Sequence, residues 1–209
     1  MSIWIFAVCI DGMSKIVVNM SVTLDGVMQA PARPDEDLRG GFAHGGWAVP
    51  YLDSDTARAL MTEGFPNAGG LLFGRRTYLD LYAVWPKRTD GNPFTPVLDN
   101  TQKWVASTTL EDPLPWQNST LLKGDAMEAV ARLKAQMAKD LVVLGSGELI
   151  QSLMRHNLVD QYVLLIHPLV LGSGRHLFPD GGAAASLQLV DSKTTTSGVV
   201  MATYNAKEA

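Results

Sequence analysis

Apolar and polar positions along the chain alternate between two periods, and the switches between them mark out the elements. Lys15 to Leu24 reads KIVVNMSVTL, rich in β-branched residues, and closes on Asp25-Gly26; this predicts a strand and a turn. Residues 27–50 show no period and hold Pro31, Pro34, Gly40, Gly41, Gly45, Gly46 and Pro50. A loop of that length in a compact domain is usually functional or mobile, so it is read as a lid. Asp53 or Ser54 caps a helix running to about Glu63. Gly70 to Phe73 is a short buried strand that ends in Gly74-Arg75-Arg76-Thr77. A helix carrying Tyr78, Leu81 and Tyr82 follows and stops before Pro86. Residues 87–100 read as loop. Lys103–Ser107 and Ser119–Leu122 read as strands, the first closing on the polar turn Ser107-Thr108-Thr109.

Asp125 with Glu128 forms a D-x-x-E capping box. The helix it opens turns Met127, Val130, Leu133 and Met137 inward and Glu128, Arg132, Gln136 and Lys139 outward. Lys134 falls at the edge of the apolar face, where its charge is expected to reach water. Leu141-Val142-Val143-Leu144 then runs straight into Gly145-Ser146-Gly147. A helical pattern follows, with Leu149, Ile150, Leu153 and Met154 on one face. Val159–Val170 is a strand with Pro168 near its end, and Gly172-Ser173-Gly174 makes a turn. Leu187–Val190 and Gly198–Tyr204 are closing antiparallel strands. Strands alternating with helices predict an α/β domain whose sheet is mostly parallel, with an antiparallel hairpin at its C-terminal end.

Composition narrows the function. The 209 residues suit one domain, and 46% apolar residues supply a sizeable core. A formal net charge of -4 argues against a general nucleic-acid binder. Cys9 is the single cysteine, which excludes an intrachain disulfide and a Cys-based zinc site and fits a reducing, cytoplasmic location. The apolar run Ile3–Ile10 is too short to cross a bilayer and lacks signal-peptide flanks. Residues 1–14 are therefore read as an extension, either an extra edge strand or a product of an upstream start, before a domain over 15–205 and a tail over 206–209. His44, His156, His167 and His176 lack zinc-binding spacing, and no metal site is expected. His156 suits a helix C-terminus, while His44 and His167 lie where a substrate could be touched.

Three junctions carry the candidate chemistry. Gly145-Ser146-Gly147, between a strand and a helix start, is a device for holding phosphate, but Ile150 occupies the third glycine of the Rossmann fingerprint. Alone, the turn fits tight helix–strand packing equally well. Gly74-Arg75-Arg76-Thr77 is a second such junction. Arginine at a helix start is disfavoured by the dipole unless an anion is near. Ser107 and Thr108 bring hydroxyls to a third strand end. Together the three would line one sheet edge, where open α/β sheets bind ligands, and an arginine pair near hydroxyls suits the 2′-phosphate of NADP. Asp25 either orients a substrate N–H or makes an Asx turn with Gly26. No serine has a nucleophile-elbow context.

The ordered set Ser21-Val22-Thr23-Leu24-Asp25-Gly26, Gly45-Gly46-Trp47, Leu72-Phe73-Gly74-Arg75-Arg76-Thr77-Tyr78, Lys103-Trp104-Val105-Ala106-Ser107, Leu144-Gly145-Ser146-Gly147, Leu158-Val159-Asp160 and Pro168–Gly174 with Leu177-Phe178 resembles the dihydrofolate reductase-like superfamily. The branch it resembles is the reductase domain of bacterial riboflavin biosynthesis. The resemblance implies a single three-layer domain with a sheet of about eight strands, NADPH as cofactor, and a homodimer. It matches Gly74, Arg75, Arg76 and Thr77 to the cofactor-phosphate helix start, and Ser107 and Thr108 to the 2′-phosphate region. Gly145, Ser146, Gly147, Glu148 and Leu149 match the diphosphate loop. Asp25 matches the acidic residue near substrate and is the catalytic candidate; Trp47 could stack on the substrate ring. Asp53 and Asp55 stand near the carboxylate that protonates pterin in dihydrofolate reductases, with spacing that fixes neither. The H-x-E and P-C-x-x-C signature of the companion deaminase is missing. The implied activity is hydride transfer from NADPH to a small heterocycle, of the 5-amino-6-(5-phosphoribosylamino)uracil type. A dihydrofolate or pterin reductase and a nucleotide-binding protein without turnover are the alternatives.

Overall fold

A computed structural model of the chain describes residues 14–63, 65 and 67–207. The readings made of residues 1–13, Cys9 included, lie outside the described residues. The strands are β1 (Ile16–Thr23), β2 (Ala68–Gly74), β3 (Lys103–Ala106), β4 (Ser119–Leu122), β5 (Asp140–Leu144), β6 (Gln161–His167), β7 (Leu187–Thr194) and β8 (Val200–Ala206). The helices are α1 (Ser54–Glu63), α2 (Arg75–Val84), α3 (Phe94–Asn100), α4 (Ala126–Gln136) and α5 (Gly147–Arg155). The strands form one sheet in the order β4-β3-β2-β5-β1-β6-β8-β7. Neighbours are parallel from β4 to β6, and β8 runs antiparallel to both β6 and β7. This is the α/β fold with a C-terminal antiparallel hairpin that the hydrophobic pattern predicted. No described helix is long and apolar enough to cross a membrane.

β1 lies mid-sheet with both faces covered, which is why seven of its eight residues are buried. Its alternate residues feed two cores. Ile16, Val18, Met20 and Val22 pack with Val130 of α4 and Ile150 and Leu153 of α5. Val17 packs on the other side with Tyr78 of α2, Leu98 of α3 and Trp116. Asp125 caps α4 as expected, its Oδ1 accepting the N–H groups of Met127 and Glu128 at 2.9 Å. The Glu128 side chain pairs with Arg132 rather than completing the capping box.

Four local readings need correction. Residues 94–100, read as loop, form α3. Asn92 Oδ1 accepts the Phe94 N–H (2.9 Å), and Pro96 sits in the first turn, where its missing donor costs nothing. The far end is held from outside, by the buried Lys103 ammonium on the carbonyls of Leu98 (2.7 Å) and Thr101 (2.8 Å). Lys134 is not a free surface charge: its side chain is half-buried and pairs with Asp160 (2.6 Å), which also accepts the Ile16 N–H (2.7 Å). The strand read over 159–170 is only Gln161–His167, because Pro168 cannot continue the ladder. β7 extends to Thr194 through exposed polar residues that carry no hydrophobic signal.

The segment 27–50 is no free flap. It has its own apolar cluster of Val27, Ala30, Phe42 and Trp47, against which Leu169 and Leu171 pack. Gln29 staples it, donating from Nε2 to the carbonyls of Asp37 (3.0 Å) and Arg39 (2.9 Å) and accepting the Arg175 N–H at Oε1 (3.0 Å).

Candidate functional site

The parallel strands deliver their C-terminal ends to one edge, and the ends of adjacent β2 and β5 are tied directly. The Gly74 N–H donates to Ser146 Oγ (3.0 Å), and the Ser146 N–H donates to Thr77 Oγ1 (3.0 Å). Gly145, at φ +63°, makes this approach possible: a Cβ there would lie 3.1 Å from Thr77 Cγ2. Ser146, itself left-handed (φ 59°, ψ 45°), is the N-cap position of α5 yet spends its hydroxyl across on β2. Two helix starts, α2 and α5, therefore stand side by side with first-turn N–H groups that no helix can satisfy internally. β3 ends next to β2, with Ala106 paired to Gly74, so Ser107 begins the adjoining turn.

The charge at this edge was only partly visible in the sequence. Glu148, in the first turn of α5, accepts at one oxygen, Oε1, from Arg39 (2.8 Å), Arg76 (3.0 Å) and Arg175 (2.7 Å). Burial works to raise the Glu148 carboxyl; the Arg39 hydrogen bond and the charges of all three arginines outweigh it and hold the group below its ordinary range. Arg39 is pushed up, mainly by its hydrogen bonds to Asp37. Arg75 is exposed and without a partner among the described residues. Arg39 and Arg175 were missed from the sequence. The available signal was their position beside glycines, in Arg39-Gly40-Gly41 and Gly172-Ser173-Gly174-Arg175.

The remaining predicted site residues are engaged within the fold. Ser107 Oγ accepts the N–H groups of Thr109 (3.1 Å) and Leu110 (3.0 Å), and Thr108 is exposed. Asp25 accepts from Thr23 Oγ1, from the Gly172 N–H (2.7 Å) and from the Leu171 N–H (3.2 Å), so it clamps the turn after β6 onto the end of β1. The Thr23 hydroxyl, aided by those backbone donors against burial, lowers its pKa. Asp53 caps α1 through the Thr56 N–H (2.6 Å) and takes the Ser197 N–H (2.9 Å) from the β7–β8 turn. These bonds, Thr56 first, lower its pKa. Asp55 is held by Arg58 (2.9 Å) and Thr196 (2.5 Å).

Trp47 is buried, donating from Nε1 to the Gln29 carbonyl (2.7 Å), with its ring edge-on to His167 at 5.1 Å. His167 is buried too, and burial pushes its pKa down. His156 terminates α5 with Nδ1 2.8 Å from the Ser152 carbonyl, and His44 is exposed beside Phe42. No group of three or more His, Cys, Asp or Glu among the described residues could hold a metal ion. A cavity of about 260 Å³ lies away from the strand ends, between α5 (Gln151, Met154, Arg155) and the turn over Phe178–Ala183.

Comparison with known proteins places this architecture. Residues 14–201 match the family model of the RibD C-terminal domain. The uncharacterised protein YyaP of Bacillus subtilis (strain 168) is 29% identical over 196 residues, covering 91% of this chain and 94% of that protein. A Shewanella sp. PV-4 protein, provisionally named for riboflavin biosynthesis, superposes with a TM-score of 0.70 at 22% identity, over 93% of this chain and 99% of that one. Dihydrofolate reductase from Enterococcus faecalis, complexed with NADP(H), gives a TM-score of 0.55 at 12% identity, over 93% and 97%. With the match running from the first residue of the described domain into its last strand, the chain belongs to the RibD C-terminal domain family.

Proposed function

We propose that the chain is an NADPH-dependent reductase acting on a small heterocycle, of the 5-amino-6-(5-phosphoribosylamino)uracil type. The observation that carries this reading is the meeting of Arg39, Arg76 and Arg175 on Glu148 Oε1, beside two helix starts at the ends of β2 and β5. Three guanidinium groups meet the Glu148 and Asp37 carboxylates, the latter on Arg39, which leaves one cation in excess, and helix starts add N–H donors. A dinucleotide diphosphate fits that chemistry. Gly74, Thr77, Gly145, Ser146, Gly147 and Leu149 supply the close backbone. Arg75, Arg76, Ser107 and Thr108 serve a 2′-phosphate, which favours NADPH over NADH.

Bound NADPH supplies a hydride to an electrophilic C=N or C=O carbon of the substrate; the chain positions both rings and excludes water. Asp25, ionised at neutral pH, orients a substrate N–H as an acceptor and is no proton donor. Asp53 and Asp55 are both engaged within the chain, so no described carboxylate of the α1 region stands free for pterin protonation. That disfavours the folate reading. Trp47 and Tyr51, packed edge-on against His167, form the wall beside the end of β6. The edge strand β7 exposes Leu189 and Val190, which suits pairing with a second copy.

Titration of the pure protein with NADPH and with NADH tests the cofactor. NADPH is expected to bind at least roughly tenfold tighter, the preference falling in Arg76→Ala. Equal affinities, unchanged in that variant, would remove the 2′-phosphate assignment. Saturable NADPH binding without oxidation by any aminouracil or pterin would leave a nucleotide-binding protein.

A further inference from the structure

β1 is apolar along one face and not along the other. On the face covered by α2 and α3, Val17 is followed by Asn19, Ser21 and Thr23. Thr23 is accounted for by its bond to Asp25. Asn19 is 1% exposed, and its Nδ2 has no hydrogen-bond partner among the described residues. The Ser21 hydroxyl, half-buried on the same face, has no partner among the described residues either. In register, Asn19 is flanked by Leu144 of β5 and Val163 of β6, both apolar. An apolar residue would fill this position as its neighbours do. Asparagine is a poor strand former, and a buried, unpaired carboxamide costs stability. Packing therefore does not explain it. An unpaired buried polar group in a native fold calls for another partner.

The position says where that partner comes from. The Asn19 carbonyl is the acceptor for the Gly145 N–H (3.4 Å), so the residue lies directly behind the glycine turn at the phosphate edge. Ser21, two residues nearer the strand end, is partly open to solvent and marks the way in. A carboxamide offers two donors and an acceptor without charge, the complement of another amide. We infer that Asn19, with Ser21, binds an amide group carried by a planar ring brought to the end of β1. The inference rests on the proposed reductase reading and adds its ring-recognition residues. The amide belongs either to the nicotinamide of the cofactor or to a cyclic amide of the hydride acceptor.

The test uses the whole chain with Asn19→Leu, close in volume and apolar, and Asn19→Ala as a second variant. Thermal unfolding is measured without ligand. Affinities are measured for NADPH, for 2′-phospho-ADP-ribose, which lacks nicotinamide, and for 5-aminouracil in the presence of NADP⁺. Asn19→Leu is expected to melt a few degrees higher than wild type, since an unpaired polar group is removed. Both variants are expected to lose about tenfold or more in affinity for one amide-bearing ligand. Loss confined to NADPH, with 2′-phospho-ADP-ribose unaffected, identifies nicotinamide; loss confined to 5-aminouracil identifies the acceptor. Unchanged affinities in both variants overturn the inference, and a lower melting temperature for Asn19→Leu with unchanged affinities assigns the carboxamide to a buried water instead. Failure of the wild type to bind NADPH overturns the reductase reading itself, a separate outcome.

Discussion

Replacing Glu148 by glutamine should weaken the fold and tighten the cofactor, two effects of opposite sign from one change. Glu148 Oε1 holds Arg39, Arg76 and Arg175 at 2.7–3.0 Å. The Glu148 side chain is 57% exposed and the arginines 33%, 54% and 43%, so solvent screens every pair. Exposed pairs contribute about 0.2–1 kcal/mol each, and sharing one oxygen limits the sum to roughly 1–1.5 kcal/mol. Glu148→Gln removes that stabilisation and leaves Arg76 and Arg175 without a carboxylate beside Arg39, which keeps Asp37, so the urea midpoint of the ligand-free protein should fall. A ligand phosphate must break the same pairs in the wild type and need not in the variant. About 1 kcal/mol released corresponds to roughly fivefold tighter NADPH binding. Calorimetric titration at low salt measures it, and the gain should shrink as salt screens the cluster. Weaker NADPH binding in Glu148→Gln would refute the reasoning, because Glu148 would then be a scaffold that aims the arginines.

Lys103→Met leaves the buried carbonyl of Leu98 and the part-buried one of Thr101 without their donor and removes the ammonium from the Trp116 ring, 4.7 Å away; urea unfolding at pH 7 should show a loss of about 2–4 kcal/mol. Burial pushes the Lys103 amine down from 10.5 to about 8, against the opposing pull of Asp99. Between those values the unfolded chain binds more protons, so this group makes stability rise from pH 8 to 10.5, and the rise should vanish in Lys103→Met. Gly145→Ala places a Cβ against Thr77 at positive φ, and should cost about 1–2 kcal/mol and weaken NADPH binding in the same titration. Asp25 has a lowered pKa, so the folded state is favoured by its ionised form. That contribution is full above its ordinary value of 3.8 and lost as pH falls through the lower folded value, a loss that acid unfolding of Asp25→Asn should no longer show.

Much of the fold was legible because its signals are local. KIVVNMSVTL and LVVL are strand-forming runs rich in β-branched residues, and such runs belong at the centre of a covered sheet, where β1 and β5 lie. Asp125 capped its helix because a carboxylate one residue before a helix meets its free N–H groups whatever the tertiary context. The helix over 94–100 was not legible, since its C-terminal carbonyls are satisfied by a lysine that arrives from β3. Lys134 was misread for a different reason: its partner Asp160 lies 26 residues further along the chain.

The candidate site divides in the same way. Gly74-Arg75-Arg76-Thr77 and Gly145-Ser146-Gly147 could be picked out one at a time, because a strand running through glycine into a helix is a pattern of adjacent residues. That they touch, hydroxyl to backbone in both directions, depends on β2 and β5 being neighbours although 65 residues separate their ends and starts. The sequence by itself determined the alternation of elements, the apolar faces and the glycine turns, all set by interactions within a few residues. Only the tertiary structure decided that Arg39, Arg76 and Arg175 share one carboxylate and that the Asn19 carboxamide nitrogen is buried without a partner among the described residues. Both follow from strand order and loop packing, which bring together charges and remove water over distances along the chain that no local pattern records.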